Sequence, residues 1–459
     1  MGNWDSEQSR LDSRFDELWP IPRSITGPGF RESLDILRKD IPLTVESVPS
    51  GANIFDWKIP PEWRIREARL TGPGGELYAD FDETNLAVVN YSAPIDEKFP
   101  LEDLKPHLYT DPDVPEATPY VTSYYERNWG FCLPHERYET LPEGEYHAYI
   151  DSEFVHGNLT YGHATLPGES DREILLSTYL CHPMLANNEL SGPLVLTSLY
   201  NRLSNWDHRK FTYRFVVVPE TIGALTYLSE HGHDLREKLV GGLVLTCLGG
   251  PEDHLSYKLT RREDALLDDV VRHVEGYSDQ EIQFRQYDQS GSDERQYCSP
   301  GFDLPVGQFA RTIYGEYPAY HNSNDTKEFM GIEPLIESAQ SIERVLHNLE
   351  YGGYYLNQKP YGEPMMSKRN LYPTVNSPES RSEGDKMGDT YDYEDGDYIQ
   401  DMMRVLSYSD GSHSVAWIAN RYEIPVERLT LVIDQLCDAS LLKPVEYTPE
   451  YDSPFDQPA

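Results

Sequence analysis

The chain has 459 residues, more than one typical core holds, so two or three domains are expected. Asp and Glu number 78 against 39 Lys and Arg, a formal net charge of −39, which argues against nonspecific contact with nucleic acid or anionic membranes. A surface of that sign repels itself at low salt, and it points to an extremely halophilic archaeon, where molar salt cuts the Debye length to about 3 Å.

The opening Met1-Gly2-Asn3-Trp4-Asp5-Ser6 carries no basic or apolar segment of a signal peptide. No run approaches the ~20 apolar residues that span a bilayer. The five cysteines are scattered with no CxxC pair, as expected of free thiols in a reducing compartment. A cytoplasmic protein without membrane contact is expected.

In chain order, residues 7–40 read as helical, with Leu11, Phe15 and Leu18, then a proline-rich break, then Phe30, Leu34, Ile36 and Leu37. From about 50 to 150 Pro, Gly and Tyr become dense. Short alternating runs at 65–70, 76–81, 86–91 and 145–150 predict a small antiparallel β module. From 151 the rhythm is α/β. Strands are predicted at 174–180, 213–218, 243–248 and 304–309, and helices at 194–203, 224–230, 264–275 and 332–349, giving a layered domain with a mostly parallel sheet. A polar stretch from about 375 to 396 reads as a linker. Helical patterns follow at 398–408, 414–422 and 425–439, with helix-turn-helix spacing around Ile424-Pro425-Val426. Leu441-Leu442-Lys443-Pro444 reads as the entry to a wing. The expected division is 1–50 with 151–365 as the α/β domain, 51–150 as the inserted β domain, 366–396 as linker, 397–447 as winged helix-turn-helix domain and 448–459 as tail.

The densest chemistry lies in Cys181-His182-Pro183-Met184-Leu185-Ala186-Asn187-Asn188-Glu189-Leu190-Ser191-Gly192, between a predicted strand and a predicted helix. Open α/β sheets place ligand chemistry there, outside the carboxyl ends of their strands. Pro219-Glu220-Thr221-Ile222-Gly223 and Tyr320-His321-Asn322-Ser323-Asn324-Asp325 fit the same plan. Two histidines and a carboxylate on three loops make a candidate metal site.

Those segments, with Arg23-Ser24-Ile25-Thr26-Gly27, Ser123-Tyr124-Tyr125, Trp129-Gly130-Phe131-Cys132 and Gly291-Ser292-Asp293-Glu294-Arg295, resemble a prokaryotic family of aminopeptidase-like proteins. The resemblance covers nearly the whole chain. It implies a zinc-exopeptidase-like three-layer α/β core, a β-rich insert and a C-terminal winged helix, with some members linked to polysaccharide biosynthesis. The core is similar to zinc aminopeptidases and glutaminyl cyclases. Their pattern has a loop histidine, a bridging aspartate before Ser-Gly, a Glu-Glu pair, a further aspartate and a late histidine. His182 and His321 match the two histidines, Glu220 the catalytic base, and Asp293 a Ser-Asp close to the site. The departures are Asn188 at the bridging position, Thr221 for the second glutamate, and a position near Thr246 for the remaining aspartate. Two zinc ions want several anionic ligands, so one ion is expected, held by His182 and His321 with an oxygen from Asn188 or Glu189. A metal-free pocket is the alternative.

Each residue also has a plainer reading. The histidines can be structural. Glu220 can stabilise a helix start or act as a general base that takes a proton from water and passes it to a leaving amine. Asp293 and Glu294 can cap a turn or orient a histidine. Arg295 can bind a substrate carboxylate through its planar fork or form a surface ion pair. Thr221 and Tyr320 are candidate substrate contacts. Cys181 and Cys247 read as buried packing, with no basic neighbour to make a thiolate. Across 398–443 only Arg404, Arg421, Arg428 and Lys443 are basic, so the winged helix lacks the positive face that DNA requires.

The leading expectation is a metal-dependent hydrolase acting on a small-molecule, peptide or amino-sugar substrate with a free amine or amide. The alternative is a catalytically retired binding or regulatory protein whose winged helix is the output. A non-hydrolytic transferase is the third reading. Homo-oligomerisation is left open.

Overall fold

A computed structural model of the chain describes residues 4–277, 281–369, 371 and 395–445. Two compact units emerge, one spanning 1–262 with 280–343 and the other 263–279 with 344–459.

The first unit is organised by Glu173–Tyr179, in which every residue is buried. A strand covered on both faces reads as such a continuous run. Thr212–Val218 and Leu239–Leu245 flank it in parallel, and Val306–Ala310 follows in parallel beyond the latter. Further strands extend the sheet on both sides: Asn158–Leu166 then Thr44–Pro49, each paired antiparallel, and Leu255–Lys258, antiparallel to Val306–Ala310, then Ile282–Arg285 in parallel. The eight-stranded sheet is therefore mixed, parallel at its centre. The four central strands were the legible ones. Leu255–Lys258 and Ile282–Arg285 are only four residues each, and Thr44–Pro49 has no buried residue, so their patterns carry little apolar signal. The chain then reverses into helices Ser191–Ser204 and Ile222–Lys238, close to the predicted ones.

The insert is a four-stranded antiparallel sheet of Leu77–Asp80, Glu62–Thr71, Glu145–Val155 and Ile95–Pro100. Ala68, Leu70, Phe131, Tyr146, Ala148 and Ile150 form its core. The predicted strand at 86–91 is instead a short 3-10 turn, Asn85–Ala87, capped by the Thr84 hydroxyl, followed by isolated bridges from Val88 and Asn90. Its apolar residues are buried, but alternation alone does not supply a ladder partner.

In the second unit, helices Asp395–Tyr408, Val415–Tyr422 and Val426–Asp438 surround a three-stranded sheet of Asp410–Ser414, Tyr354–Asn357 and Leu442–Val445. Ser414 caps the middle helix by accepting the Trp417 N–H at 2.9 Å. The central strand Tyr354–Asn357 was not foreseen. Helix Leu266–Gly276 packs here too, through Asp269 and His273 to Ser414 and Asn420. Most of the predicted linker and the 448–459 tail lie outside the described residues. Among the described residues, no helix is long and apolar enough to cross a membrane.

Candidate active site

The loops leaving the central strands carry backbone that L-residues rarely adopt. Met184, Thr221, Cys247 and His321 have φ of 45°, 61°, 53° and 56°. Such conformations cost energy and persist only where surroundings over-determine them. The surroundings here are buried carboxylates. Asp325 accepts the N–H groups of Asn187 (2.7 Å) and Asn188 (2.9 Å), and its carbonyl accepts that of Ala186. This anchors the π-turn Ala186–Leu190 that leads into the following helix. Asp293 Oδ1 accepts the N–H of Thr221 at 2.7 Å.

His182 is buried and fixed from one side. Glu189 Oε1 accepts its backbone N–H (2.8 Å) and Oε2 meets its Nδ1 (2.5 Å). Burial opposes charge on this ring, but Tyr120, Cys181 and Glu189 outweigh it and hold its pKa above the ordinary value. Arg23, fully buried, donates Nε to the His182 carbonyl at 3.0 Å. Burial pulls this guanidinium down to about 10, with Glu189 and Cys181 opposing. The other edge of the His182 ring faces Glu220, with Nε2 3.7 Å from Oε2. His321 lies alongside, its ring centre 5.4 Å from that of His182. Tyr320 stacks on it at 3.9 Å. Burial, then the neighbouring His182, push His321 down to about 3, so this imidazole is neutral.

Glu220, Thr221, Asp293 and Arg295 form one group beside His182. Burial raises the Glu220 carboxyl, and Glu189 adds to it. Asp293 is raised well above the usual carboxylate range by burial and by Glu220. Two carboxyls in one poorly solvated place do not both ionise freely. Asp293 Oδ2 is buried without a hydrogen-bond partner. Arg295 Nη2 donates to Thr221 Oγ1 at 3.1 Å. Cys181 and Cys247 are fully buried, and burial pushes their thiols up to about 11 and about 12. They stay protonated, as packing residues do.

Several site-forming residues had no readable signal. Tyr120 comes from the insert and sets its ring edge-on to both histidines, at 4.9 Å and 5.3 Å between centres. It arrives there because its backbone zips onto the histidine loop: Tyr120 N–H donates to the His321 carbonyl (2.7 Å), and Ser323 N–H to that of Thr118 (2.9 Å). Tyr120 and Tyr124 pair their hydroxyls at 2.5 Å. Asp325 was visible only as the end of a polar loop. Arg23 was part of a motif without an assigned task.

The imidazoles of His182 and His321 are the donors this site offers an ion, without the several carboxylates that two zinc ions want. Two imidazoles on one tetrahedral zinc, at 2.0–2.1 Å each, bring their ring centres to roughly 5 Å, close to the separation of His182 and His321. His182 has Nδ1 committed to a carboxylate and Nε2 left over, the usual preparation of a ligating histidine. At Asn188, Thr246 and Thr221, where the resembled pattern has carboxylates, the side chains are engaged by neighbours. Asn188 Nδ2 donates to Tyr179 Oη (3.1 Å), Thr246 Oγ1 pairs with that same hydroxyl (2.6 Å), and Thr221 serves Arg295. Of these three side chains, Asn188 leaves its Oδ1 buried and unpartnered. Glu189, expected to lend an oxygen to the ion, has both oxygens on His182. Among the described residues, the ligand-type trios gathered within 4.8 Å are Cys181–His182–Glu189 and Glu46–His163–His231, neither including His321.

A profile described as a domain of unknown function, DUF4910, matches residues 13–352, and a winged helix-turn-helix profile matches 353–444. A Clostridium acetobutylicum protein named "Putative polysaccharide biosynthesis protein with aminopeptidase-like domain" is 39% identical over 428 residues, 93% of this chain and 94% of its own. A crystal structure of a "putative peptidase" from Clostridium acetobutylicum superimposes with a TM-score of 0.81 at 37% identity, covering 95% of this chain and 96% of that one. A zinc aminopeptidase from Bacillus subtilis gives a TM-score of 0.54 at 11% identity over 73% of this chain and 93% of its own, a likeness of fold. The chain thus has the aminopeptidase-like α/β core with small extra sheets and the C-terminal winged helix expected from the motifs.

Proposed function

The chain belongs to the DUF4910 family, and from that premise we propose that it is a single-zinc hydrolase of aminopeptidase type, cleaving an amide beside a free amine. The observation that carries this reading is the pairing of the His182 and His321 rings at 5.4 Å with Glu220 Oε2 3.7 Å from His182 Nε2. His182 and His321 would hold the ion, which when bound would supply Lewis acidity and ease ionisation of water near neutral pH.

Glu220 takes the proton of the attacking water and delivers it to the departing amine. Its side chain is 27% exposed, so it reaches solvent, and its raised pKa brings it closer to neutrality, where proton transfer is most effective. Glu189 holds the His182 ring, Asp293 holds the Thr221 backbone, and Arg295, steadied by Thr221, offers its fork to a substrate carboxylate. Tyr320 and Tyr120 wall the histidine pair and exclude water. The substrate class is a small peptide or an amino sugar derivative; the name of the Clostridium acetobutylicum relative supports a place in polysaccharide biosynthesis.

Glu220→Gln tests this. With zinc supplied in high salt, hydrolysis of aminoacyl and amino-sugar amides is expected to fall at least about 100-fold with zinc content unchanged, while His182→Ala loses one zinc equivalent. Unchanged turnover in Glu220→Gln would sink the assignment.

The loss of carboxylates at Asn188, Thr221 and Thr246 favours a second reading, a retired core that binds ligand without turnover. In either case we infer that DNA is not the winged helix's partner. Arg404 and Arg428 both pair with the buried Asp401, at 2.8 Å and 2.6 Å, and Arg421 Nε donates to the Tyr408 hydroxyl. Cations spent on internal partners are less available to phosphates. We also assign the protein to a salt-loving organism, on the strength of its net charge of −39.

A further inference from the structure

We propose that Glu46, His163 and His231 form a second divalent transition-metal site, of zinc type, separate from His182 and His321. The three residues come from strand Thr44–Pro49, strand Asn158–Leu166 and helix Ile222–Lys238. Their ligand-type atoms lie within 4.8 Å of one another. His231 stands ten residues beyond Thr221 along a helix that rises about 1.5 Å per residue, so the two centres are roughly 15 Å apart.

The distances suit a metal cradle. His163 Nε2 is 3.5 Å from Glu46 Oε1, and His231 Nε2 is 3.4 Å from Glu46 Oε2. Both exceed a normal N–H···O bond of about 2.9 Å. Two ligand atoms on one tetrahedral zinc stand about 3.4 Å apart, given metal–ligand lengths of 2.0–2.2 Å. The His163 and His231 ring centres are 5.0 Å apart, again near the spacing two imidazoles take on one ion. Both ring nitrogens of His163 are buried and have no hydrogen-bond partner. A buried polar group left so is costly unless something else binds it. Bound zinc would satisfy one of the two.

The surroundings complete the arrangement. Tyr161 Oη donates to Glu46 Oε2 at 2.6 Å and lies 3.3 Å from His231 Nε2, so the hydroxyl steadies the carboxylate that ligates. An open cavity of about 410 Å³, lined by Glu46, Ser47, Val48, Pro49, Tyr161 and Glu230, reaches the cluster at Glu46 and Tyr161. It leaves the fourth position to water or a small anion. Two histidines and one glutamate with an open position suit zinc better than a hard cation such as magnesium, which prefers oxygen ligands.

The test uses the full-length chain stripped with chelator and reloaded with zinc, measuring bound zinc by elemental analysis and affinity by calorimetry. His231→Gln and His163→Asn are each expected to lose one equivalent. A His182→Ala/His321→Ala chain is expected to retain one equivalent with micromolar or tighter affinity, and to lose it on adding His231→Gln. If that double variant does not fold by circular dichroism, wild type against His231→Gln decides alone. Unchanged stoichiometry in folded His231→Gln and His163→Asn overturns the site, as does binding to it only near about 1 mM zinc. Loss of the His182 equivalent leaves this count untouched, so the two centres fail independently.

Discussion

Glu189 carries more of the site than its place in the sequence suggests. A carboxylate seven residues after a histidine, on a turn that starts a helix, reads equally as a ligand, a cap or a solvated charge. In the folded chain it is 1% exposed and gives both oxygens to His182. A carboxylate on the far nitrogen fixes a ligating ring and raises its basicity. Glu189→Gln is therefore expected to weaken zinc at His182 by about 10- to 100-fold, read by calorimetry in a His231→Gln background. An affinity equal to that background would show the carboxylate to be structural only. Arg23 belongs to the same unit of charge. Its guanidinium is buried beside Glu189 and holds the His182 carbonyl, which places a motif with no visible chemistry against the candidate site.

Among the elements, the helix Leu266–Gly276 illustrates how a titrating group can sit under a packing contact. Asp269 accepts the Ser414 hydroxyl at 3.2 Å where the winged-helix segment packs. Burial pushes its carboxyl up to about 6, with Ser414 opposing, against about 3.9 in an unfolded chain. A raised acid binds more protons folded than unfolded between those values. The stability it supports is thus full below about pH 4 and is lost as pH rises through about 6. Asp269→Asn keeps an acceptor for Ser414 and removes the titration. Relative to wild type it is expected to gain about 2 kcal/mol of stability between pH 4 and pH 8, a figure discounted for its partial exposure. Urea unfolding at the two pH values measures it, and identical pH slopes would refute the assignment. The insert makes a different point at this scale. Its segment around Thr118 and Tyr120 pairs with the His321 loop, so a β module that looks independent in sequence supplies a wall of the site.

The whole molecule is ruled by its charge. With 78 acidic against 39 basic residues, self-repulsion opposes the compact state at low salt and is screened at high salt. The melting temperature is expected to rise by roughly 10 °C or more between 0.1 and 2 M KCl, followed by circular dichroism; a flat profile would remove the salt-loving assignment. Composition and local pattern were enough for this charge, for the central strands and their helices, and for the three loops with His182, Glu220 and His321. Those depend on apolar periodicity and on chain segments short enough to read in one window. The tertiary structure alone decided that Glu189 turns both oxygens to His182, that Tyr120 packs edge-on against both histidines, that Asp325 anchors the Asn187–Asn188 turn, and that Glu46, His163 and His231 meet. Hydrogen-bond and ligand geometry depend on sub-ångström placement of groups from separate elements, and no spacing along the chain encodes which edge strand will lie against which helix.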